Sequence, residues 1–411
     1  MSRLSVPKDA IRIVLVEGIH DTAAVSLAAH GYRQVERLAD APDPAALARL
    51  IRDAHILGIR SKTRLSAAVL AAAERLICIG CFCIGTNQVD LQAAERRGVP
   101  VFNAPFSNTR SVAELVVGEI IVLMRQVPEK SRLAHAGQWH KAAPAAREVR
   151  GKTLGIVGYG HIGSQVSILA EALGMRVLFH DIVDKLALGN AEPVATLDEL
   201  LERSDVVTLH VPGTTATRGL IGPKQLERMR PGAVLVNAAR GEVVDVPALA
   251  RALTGGHLSG AAVDVFPVEP GGPEEPLDTP LRGLPNVILT PHIGGNTLEA
   301  QANIGQEVAE KLVKYSDDGS TVGAVNFPEV SLPEQRGATR FLHIHSNVPG
   351  VLVRINEVFS SRDLNIVGQY LRTDAEVGYV VTDIAGKLEA GQGVRRALQQ
   401  IPGTIRTRFL Y

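Results

Sequence analysis

The sequence has no excess charge of either sign, few aromatic residues and no long apolar run. Lys plus Arg and Asp plus Glu both number 43 in 411 residues, and aromatic residues make up 4%. Binding to nucleic acid or a membrane surface usually needs a basic excess, so this balance argues against both classes. No apolar stretch is long enough to cross a bilayer, and Met1 to Lys8 lacks the apolar core of a signal peptide. We therefore expect a cytoplasmic protein that binds anions through local charge.

Cysteine is also scarce, and the three cysteines lie together at Cys78, Cys81 and Cys83. The first two have the CxxC spacing of some redox and metal sites. The run around them is apolar, and no second Cys or His pair lies nearby to complete four ligands. A buried strand is therefore the favoured interpretation, and no metal is expected. Free thiols fit a reducing cytoplasm.

The length of the chain predicts two or three domains. Short β-branched runs alternate with helical patterns through the first hundred residues, and again from Lys152 to about Ile293. This alternation is typical of parallel sheets with crossover helices. The segment between them, Val112–Arg132, reads as one long helix. After about residue 340 the pattern becomes β-α-β-β-α-β, which predicts a ferredoxin-like module.

A glycine-rich turn follows the predicted strand Leu154–Val157 and precedes a helix. Its glycines are Gly158, Gly160 and Gly163, and Asp181 ends the next strand, 18 residues after the last of them. Such glycines allow a tight turn, a close approach of the backbone to a pyrophosphate, and packing of helix on strand. A carboxylate at the position of Asp181 accepts bonds from a ribose 2′-hydroxyl and repels a 2′-phosphate. The pattern favours NAD over NADP, the alternative being a glycine turn without a ligand.

Polar residues follow three later strands, where ligands bind in open parallel sheets. Arg240 follows one, Asp264 and Glu269 another, and His292 a third. A histidine can take the proton of an alcohol as hydride leaves, and a carboxylate beside it fixes its tautomer. An arginine can hold a substrate carboxylate. Each residue alone also has an ordinary structural interpretation, but together they indicate a hydride-transfer dehydrogenase.

Four motifs resemble those of the D-isomer-specific 2-hydroxyacid dehydrogenases, over residues 10–330. They are Gly158–Gly163 with Asp181, Asn237–Gly241, Asp264–Phe266 with Glu269, and Pro291–Gly295. The resemblance implies an α/β fold in which a Rossmann-like NAD domain (109–295) is inserted in a flavodoxin-like substrate domain (1–108 and 296–332). Residues 339–411 resemble an ACT domain, a small regulatory module with the ferredoxin-like βαββαβ order.

The resemblance also implies roles for individual residues. It makes His292 the acid and base, Glu269 its partner and Arg240 the group on the substrate carboxylate. Further substrate contacts would be Arg60, Ser61 and Asn108, with Lys62 and Lys141 as weaker candidates. The implied contacts to NAD are Gly158, Gly160, His161, Ile162, Gly163, Asp181, Ala238, Ala239, Arg240, Asp264, His292 and Gly295.

In the ACT-like module, the residues matching a serine site are His345, Asn347 and Asn365. Here the sequence departs from its better-studied relatives. Arg336-Gly337 replaces a Gly-Gly hinge, and Val348 replaces an arginine after the effector-site asparagine. The alternative interpretation is that the three residues only cap or turn the chain.

The resemblance implies oxidation of 3-phospho-D-glycerate to 3-phosphohydroxypyruvate with NAD, the first step of L-serine biosynthesis, with L-serine as inhibitor. It also implies a homotetramer, in which Trp139 is either an intersubunit anchor or an ordinary surface residue. Two alternatives stay open. One is another D-2-hydroxyacid dehydrogenase, including one that reduces 2-oxoglutarate to 2-hydroxyglutarate. The other is an NAD-sensing corepressor, which the catalytic set and the ACT-like module weigh against.

Overall fold

A computed structural model describes residues 6–142, 144–272, 274–333, 337–386 and 391–410. The chain forms two compact units. One comprises Met1–Ser107 with Gln301–Tyr411, and the other comprises Asn108–Ala300. No helix in the described part of the chain is long and apolar enough to span a membrane.

The first unit begins with a five-stranded parallel sheet. Its strands are β1 (Arg12–Leu15), β2 (Gln34–Arg37), β3 (Ile56–Ile59), β4 (Cys78–Cys81) and β5 (Val101–Asn103). Their order, β2-β1-β3-β4-β5, is flavodoxin-like, as expected. The helices here are α1 (Asp21–Ala29), α2 (Pro44–Ile51), α3 (Ala67–Ala71) and α4 (Leu91–Arg96), after a 3₁₀ turn at Lys8–Ala10.

The cysteines lie in and beside this sheet. Cys78 and Cys81 are buried at the two ends of β4, and Cys83 is half-buried. Burial raises the pKa of the Cys78 thiol to about 12, with smaller opposing effects from Arg408 and Arg406. Thiols held protonated in this way behave as small core residues.

The second unit is built on a seven-stranded parallel sheet in the order β12-β11-β10-β9-β6-β7-β8. Its strands are β6 (Thr153–Val157), β7 (Arg176–His180), β8 (Glu192–Pro193), β9 (Val206–Leu209), β10 (Ala233–Asn237), β11 (Leu258–Val263) and β12 (Val287–Leu289). The helices are α5 (Thr109–Met124), α6 (Val127–His135), α7 (His161–Ala172), α8 (Leu197–Arg203), α9 (Pro223–Arg228) and α10 (Val246–Thr254), with a 3₁₀ turn at Gly241–Val243. The order reverses beside β6, which is the Rossmann arrangement.

The single helix predicted over Val112–Arg132 is wrong, because α5 and α6 are separate. Gln126 between them has φ +57°, in the left-handed region, and Pro128 stands in the first turn of α6. Left-handed backbone cannot continue a right-handed helix, and proline starts a new one readily. Periodicity alone missed this break because helix-forming residues continue on both sides of it.

The chain returns to the first unit through α11 (Leu298–Asp318) and ends in the ACT-like module. The module contains β13 (Ala338–Ser346), α12 (Val351–Ser360), β14 (Ile366–Thr373), β15 (Val377–Ala385), α13 (Gly391–Gln399) and β16 (Thr404–Leu410). Its antiparallel sheet has the order β14-β15-β13-β16. The predicted βαββαβ pattern is therefore confirmed.

One face of the module's sheet shares a hydrophobic core with the first sheet of the same unit. Leu342, Ile344 and Tyr379 belong to one buried cluster with Tyr32 and Leu312. The opposite face carries α12 and α13 over a second core. The Tyr379 hydroxyl donates to the Gly319 carbonyl at 2.6 Å, and this hydrogen bond restricts how the apolar surfaces can pack. The ACT-like module and the five-stranded sheet therefore form one unit with a shared core.

Candidate active site

The glycine turn after β6 has the geometry of a dinucleotide site. Gly158 has φ +91°, and a Cβ there would lie 2.5 Å from the His210 carbonyl oxygen. A Cβ at Gly163 would meet the Gly158 carbonyl oxygen, whereas a Cβ at Gly160 would have nothing within 4 Å. Gly158 and Gly163 are therefore required by the packing of the protein, with or without a ligand. The open space at Gly160, at the N-terminus of α7, suits a pyrophosphate.

Asp181 is tied to this turn. One carboxylate oxygen accepts the Tyr159 amide at 2.8 Å, and the other accepts the Val183 amide at 3.1 Å. The Tyr159 ring stacks on Phe179 with 3.9 Å between centroids. The carboxylate is thus fixed at the end of β7, beside the glycine turn, where an NAD ribose would lie.

Asp264 organises the segment that carries the candidate base. Only 2% of it is exposed. Its Oδ1 accepts the Thr290 hydroxyl at 2.6 Å and the Ile293 amide at 2.8 Å, and its Oδ2 accepts the Gly294 amide at 2.9 Å. The His292 amide donates to the Asp264 carbonyl at 2.8 Å. These bonds hold His292 at φ +55°, a strained value for a residue with a side chain.

His292 and Glu269 form a pair. The His292 Nδ1 lies 3.0 Å from both carboxylate oxygens of Glu269, and both side chains are partly exposed. This hydrogen bond raises the pKa of His292 against the opposing effect of burial, with further help from the charges of Glu269 and Asp264. Burial opposes ionisation of Glu269, but the bond to His292, its charge and the Phe266 amide leave the pKa of Glu269 lowered. With Nδ1 directed at the carboxylate, Nε2 is the atom available to exchange a proton.

Arg240 is presented by a turn that Asn237 holds in place. The Asn237 Oδ1 accepts the Ala239 amide and its Nδ2 donates to the Arg240 carbonyl, both at 3.1 Å. A Cβ at Gly241 would overlap the Phe266 backbone, so this turn packs directly on the segment leading to Glu269. The Arg240 charge lowers the pKa of both Glu269 and His292. The structure therefore brings together Arg240, Glu269 and His292, as the strand-end pattern predicts.

Glu119 was not among the predicted site residues. It lies in α5, 5% exposed, and neither carboxylate oxygen has a partner among the described residues. Burial raises the pKa of Glu119 to about 8, with a contribution from the nearby charge of Asp264. Glu119 is therefore mostly protonated near neutral pH. No sequence motif pointed to Glu119, because a single acidic residue in a mostly apolar helix does not reveal whether its side chain is buried.

The predicted substrate residues fall in both units. Asn108 belongs to the second unit, is 7% exposed and has its amide against Gly295, where a Cβ would not fit. Arg60 and Ser61 belong to the first unit and follow β3 directly. Ser61 is exposed and Arg60 half-buried, so both side chains can be reached by a ligand.

The structure does not bring the predicted effector residues together within one module. His345 and Asn347 lie at the end of the sheet where β13 ends and β15 begins, whereas Asn365 lies at the opposite end, where its carbonyl accepts the Ala385 amide. His345 is buried, with Nδ1 against the Ser346 carbonyl at 2.8 Å and no partner among the described residues for Nε2. Asn347 donates to the Asp374 carbonyl at 2.7 Å, and Asn365 is exposed just before β14. Gly350, at φ +86°, precedes α12. Arg336 of the altered hinge lies outside the described residues.

Comparisons with known proteins match this chain in sequence and in fold. Residues 117–294 match the family described as D-isomer specific 2-hydroxyacid dehydrogenase, NAD binding domain, and residues 341–406 match the AHAS small subunit-like ACT domain. A solved D-lactate dehydrogenase from Aquifex aeolicus, complexed with NAD and lactic acid, is 27% identical with a TM-score of 0.67. It covers 77% of this chain and 100% of its own. The TT0316 protein of Thermus thermophilus is 34% identical, covering 74% and 96%, with a TM-score of 0.66.

Curated relatives extend the match to the whole chain. D-3-phosphoglycerate dehydrogenase of Escherichia coli (strain K12) is 56% identical over 411 residues, 100% of each chain. The protein of the same name from Dictyostelium discoideum is 48% identical over 99% of each chain. The chain therefore belongs to the D-3-phosphoglycerate dehydrogenases, a branch of the NAD-dependent D-isomer-specific 2-hydroxyacid dehydrogenase family.

Proposed function

We propose that this protein oxidises 3-phospho-D-glycerate to 3-phosphohydroxypyruvate with NAD, as the first step of L-serine biosynthesis in the cytoplasm. The observation that carries the proposal is the arrangement of Arg240, Glu269 and His292 in the unit that holds the glycine turn. In a reaction that removes both a hydride and a proton from an alcohol, these three groups can supply the proton acceptor, its carboxylate partner and a cation for the substrate carboxylate.

Each side chain has a defined task. His292 Nε2 takes the hydroxyl proton at C2, while Glu269 stabilises the imidazolium that forms. Arg240 holds the C1 carboxylate and stabilises negative charge on the developing carbonyl oxygen. The glycine turn would hold NAD, which would supply the hydride acceptor for C2. Gly158, Gly160 and Gly163 admit its pyrophosphate, and Asp181 favours an unphosphorylated ribose.

Further NAD contacts are proposed from His161, Ile162, Ala238, Ala239, Asp264 and Gly295. For the substrate, Arg60, Ser61 and Asn108 are the proposed contacts. In a chain of zero net charge, a phosphate requires local cations, and Arg60 with Lys62 supplies them. We also propose a homotetramer, on family resemblance. Trp139 is 89% exposed within one chain, which fits an intersubunit anchor.

The alternative within the family is an enzyme for another 2-hydroxy acid, including 2-oxoglutarate reduction. The purified protein should reduce NAD when given 3-phosphoglycerate. Arg60→Ala should lower kcat/KM for this substrate by about tenfold or more, because a charged bidentate contact is lost. Activity with 2-oxoglutarate and NADH should fall less. Arg49→Ala, on α2 of the same unit, is the control and should match wild type. Turnover of 2-oxoglutarate without any of 3-phosphoglycerate would favour the alternative.

We further propose that L-serine binds at His345, Asn347 and Asn365 across an interface between two such modules, and inhibits the enzyme. The three residues lie at opposite ends of the sheet of one module, so a single site needs residues from two modules. The buried Nε2 of His345, which has no partner among the described residues, and the backbone N–H groups at the start of α12 suit an amino acid's polar groups. Val348, 48% exposed, supplies no charge beside Asn347. Binding therefore rests on neutral hydrogen bonds more than in relatives with arginine there.

Millimolar serine should accordingly bind the wild-type enzyme and lower NAD reduction. His345→Ala should weaken serine binding in calorimetry by about tenfold, since a buried polar contact is removed. Activity without serine should be unchanged. Gln392→Ala, on the exposed side of α13, is a matched control in the same module. Equal serine affinity in the two variants would place the effector site elsewhere.

A further inference from the structure

A buried carboxylate holds the loop that carries Arg60. Glu17 lies just beyond β1 and is 8% exposed. Its Oε1 accepts the amides of Arg60 at 3.1 Å and Thr63 at 2.8 Å, and its Oε2 accepts the Lys62 amide at 2.9 Å. A single side chain therefore binds three of the four backbone amides in the segment 60–63.

The position of Glu17 follows from the sheet. β1 and β3 are parallel neighbours, so the residues after both strands emerge at the same edge. The pairing continues past the end of β1, since the Val16 amide donates to the carbonyl of Gly58 in β3 at 3.0 Å. Glu17 itself has φ +63°, a left-handed value that is uncommon for a residue with a long side chain. Such strain persists where surrounding bonds fix it, and it is typical of functional sites.

The rest of the loop is also restrained. The Gln88 side chain donates to the Arg60 carbonyl at 2.8 Å. Because the amides point inward to Glu17, the side chains of Ser61 and Lys62 are left exposed. The loop backbone is thus held by the buried Glu17 carboxylate, while the side chains of Ser61 and Lys62 face solvent. The Arg60 side chain is held at the same residue, because its Nη1 donates to the Glu17 carbonyl at 3.5 Å.

We propose that Glu17 is a positioning residue for the reaction: by binding the amides of Arg60, Lys62 and Thr63 it sets the geometry with which this loop contacts the substrate phosphate. This rests on the proposed function, in which Arg60 meets that phosphate. Glu17 acts through the loop and does not contact the reacting atoms. It therefore contributes to substrate affinity and specificity, and the chemistry at His292 does not depend on it.

Glu17→Gln tests the proposal. Whichever way the amide is placed, its NH₂ group faces at least one backbone N–H, and the remaining bonds lose their charge. We expect KM for 3-phosphoglycerate to rise about tenfold or more, with kcat and KM for NAD within about threefold of wild type. Glu36→Gln, an exposed carboxylate on β2, is the control and should behave as wild type. Thermal unfolding of both variants monitors the fold.

A double-mutant cycle with Arg60→Ala separates positioning from a general structural role. If Glu17 acts through Arg60, the double variant should have nearly the kcat/KM of Arg60→Ala alone. Additive losses, or equal losses in kcat and in both KM values, would overturn the proposal. If Glu17→Gln does not fold, Glu17→Asp enters the cycle, since aspartate tolerates left-handed backbone but is too short to reach all three amides. Wild-type turnover of 3-phosphoglycerate, measured alongside, tests the proposed function separately.

Discussion

Replacing His292 with alanine should lower kcat for 3-phosphoglycerate oxidation by about two to four orders of magnitude. That is the usual contribution of a positioned general base. NAD binding, measured by fluorescence or calorimetry, should remain, because the glycine turn and Asp181 do not depend on the imidazole. His135→Ala, in the last turn of α6 and exposed, is the control and should retain full activity.

The pH profile of the same two variants identifies the proton acceptor. A protonated His292 cannot accept the hydroxyl proton, so kcat/KM for oxidation should rise with pH as the ring loses its proton. The bond to Glu269 raises the pKa of His292, so this limb should lie above the ordinary pH range of a free histidine. It should persist in His135→Ala and be absent in His292→Ala. Residual activity with an unchanged limb would assign the proton transfer to another group.

The largest expected loss of stability is at Arg340, which is fully buried in β13. Its Nε and Nη2 each lie 2.7 Å from an oxygen of Asp383, and its Nη1 donates to the carbonyls of Asp318 and Pro333. Arg340→Ala leaves a buried carboxylate and two carbonyls unpartnered. Breaking such a pair costs about 3–5 kcal/mol of unfolding free energy. For a unit of this size, that lowers Tm by on the order of 10 °C.

Calorimetry or circular dichroism can measure this change. Arg396→Ala, exposed on α13 of the same module, is the control and should shift Tm little. The pair Arg340→Met with Asp383→Leu should recover most of the loss, because removing both charges together avoids an uncompensated one. If Arg340→Ala unfolds at the wild-type temperature, neither the ion pair with Asp383 nor the bond to the Asp318 carbonyl contributes much to the free energy of unfolding.

Most strands along the chain and the βαββαβ pattern of the module could be predicted because their signals are local, whereas the order of the strands in the two parallel sheets was expected only from the family resemblance. Buried strands such as β3 are continuous apolar runs, and glycines with special backbone conformations punctuate them. β2 gave no such signal. Its sequence, Gln-Val-Glu-Arg, is mostly exposed, since an edge strand needs only one paired side. The break between α5 and α6 was also missed, because Gln126 adopts a left-handed conformation and a glutamine does not predict one.

The sequence by itself predicted an NAD turn at Gly158–Gly163, a ribose carboxylate at Asp181, and catalytic residues at the strand ends, namely Arg240, Glu269 and His292. Each of these stands at a fixed spacing from its own strand, so a linear pattern suffices to find it. Only the tertiary structure decided which groups hold them in place. Asp264 binds the amides of the segment around His292, and Glu17 binds those of the loop around Arg60. These partners come from different strands, and parallel pairing brings strand ends together at distances along the chain that no local motif records.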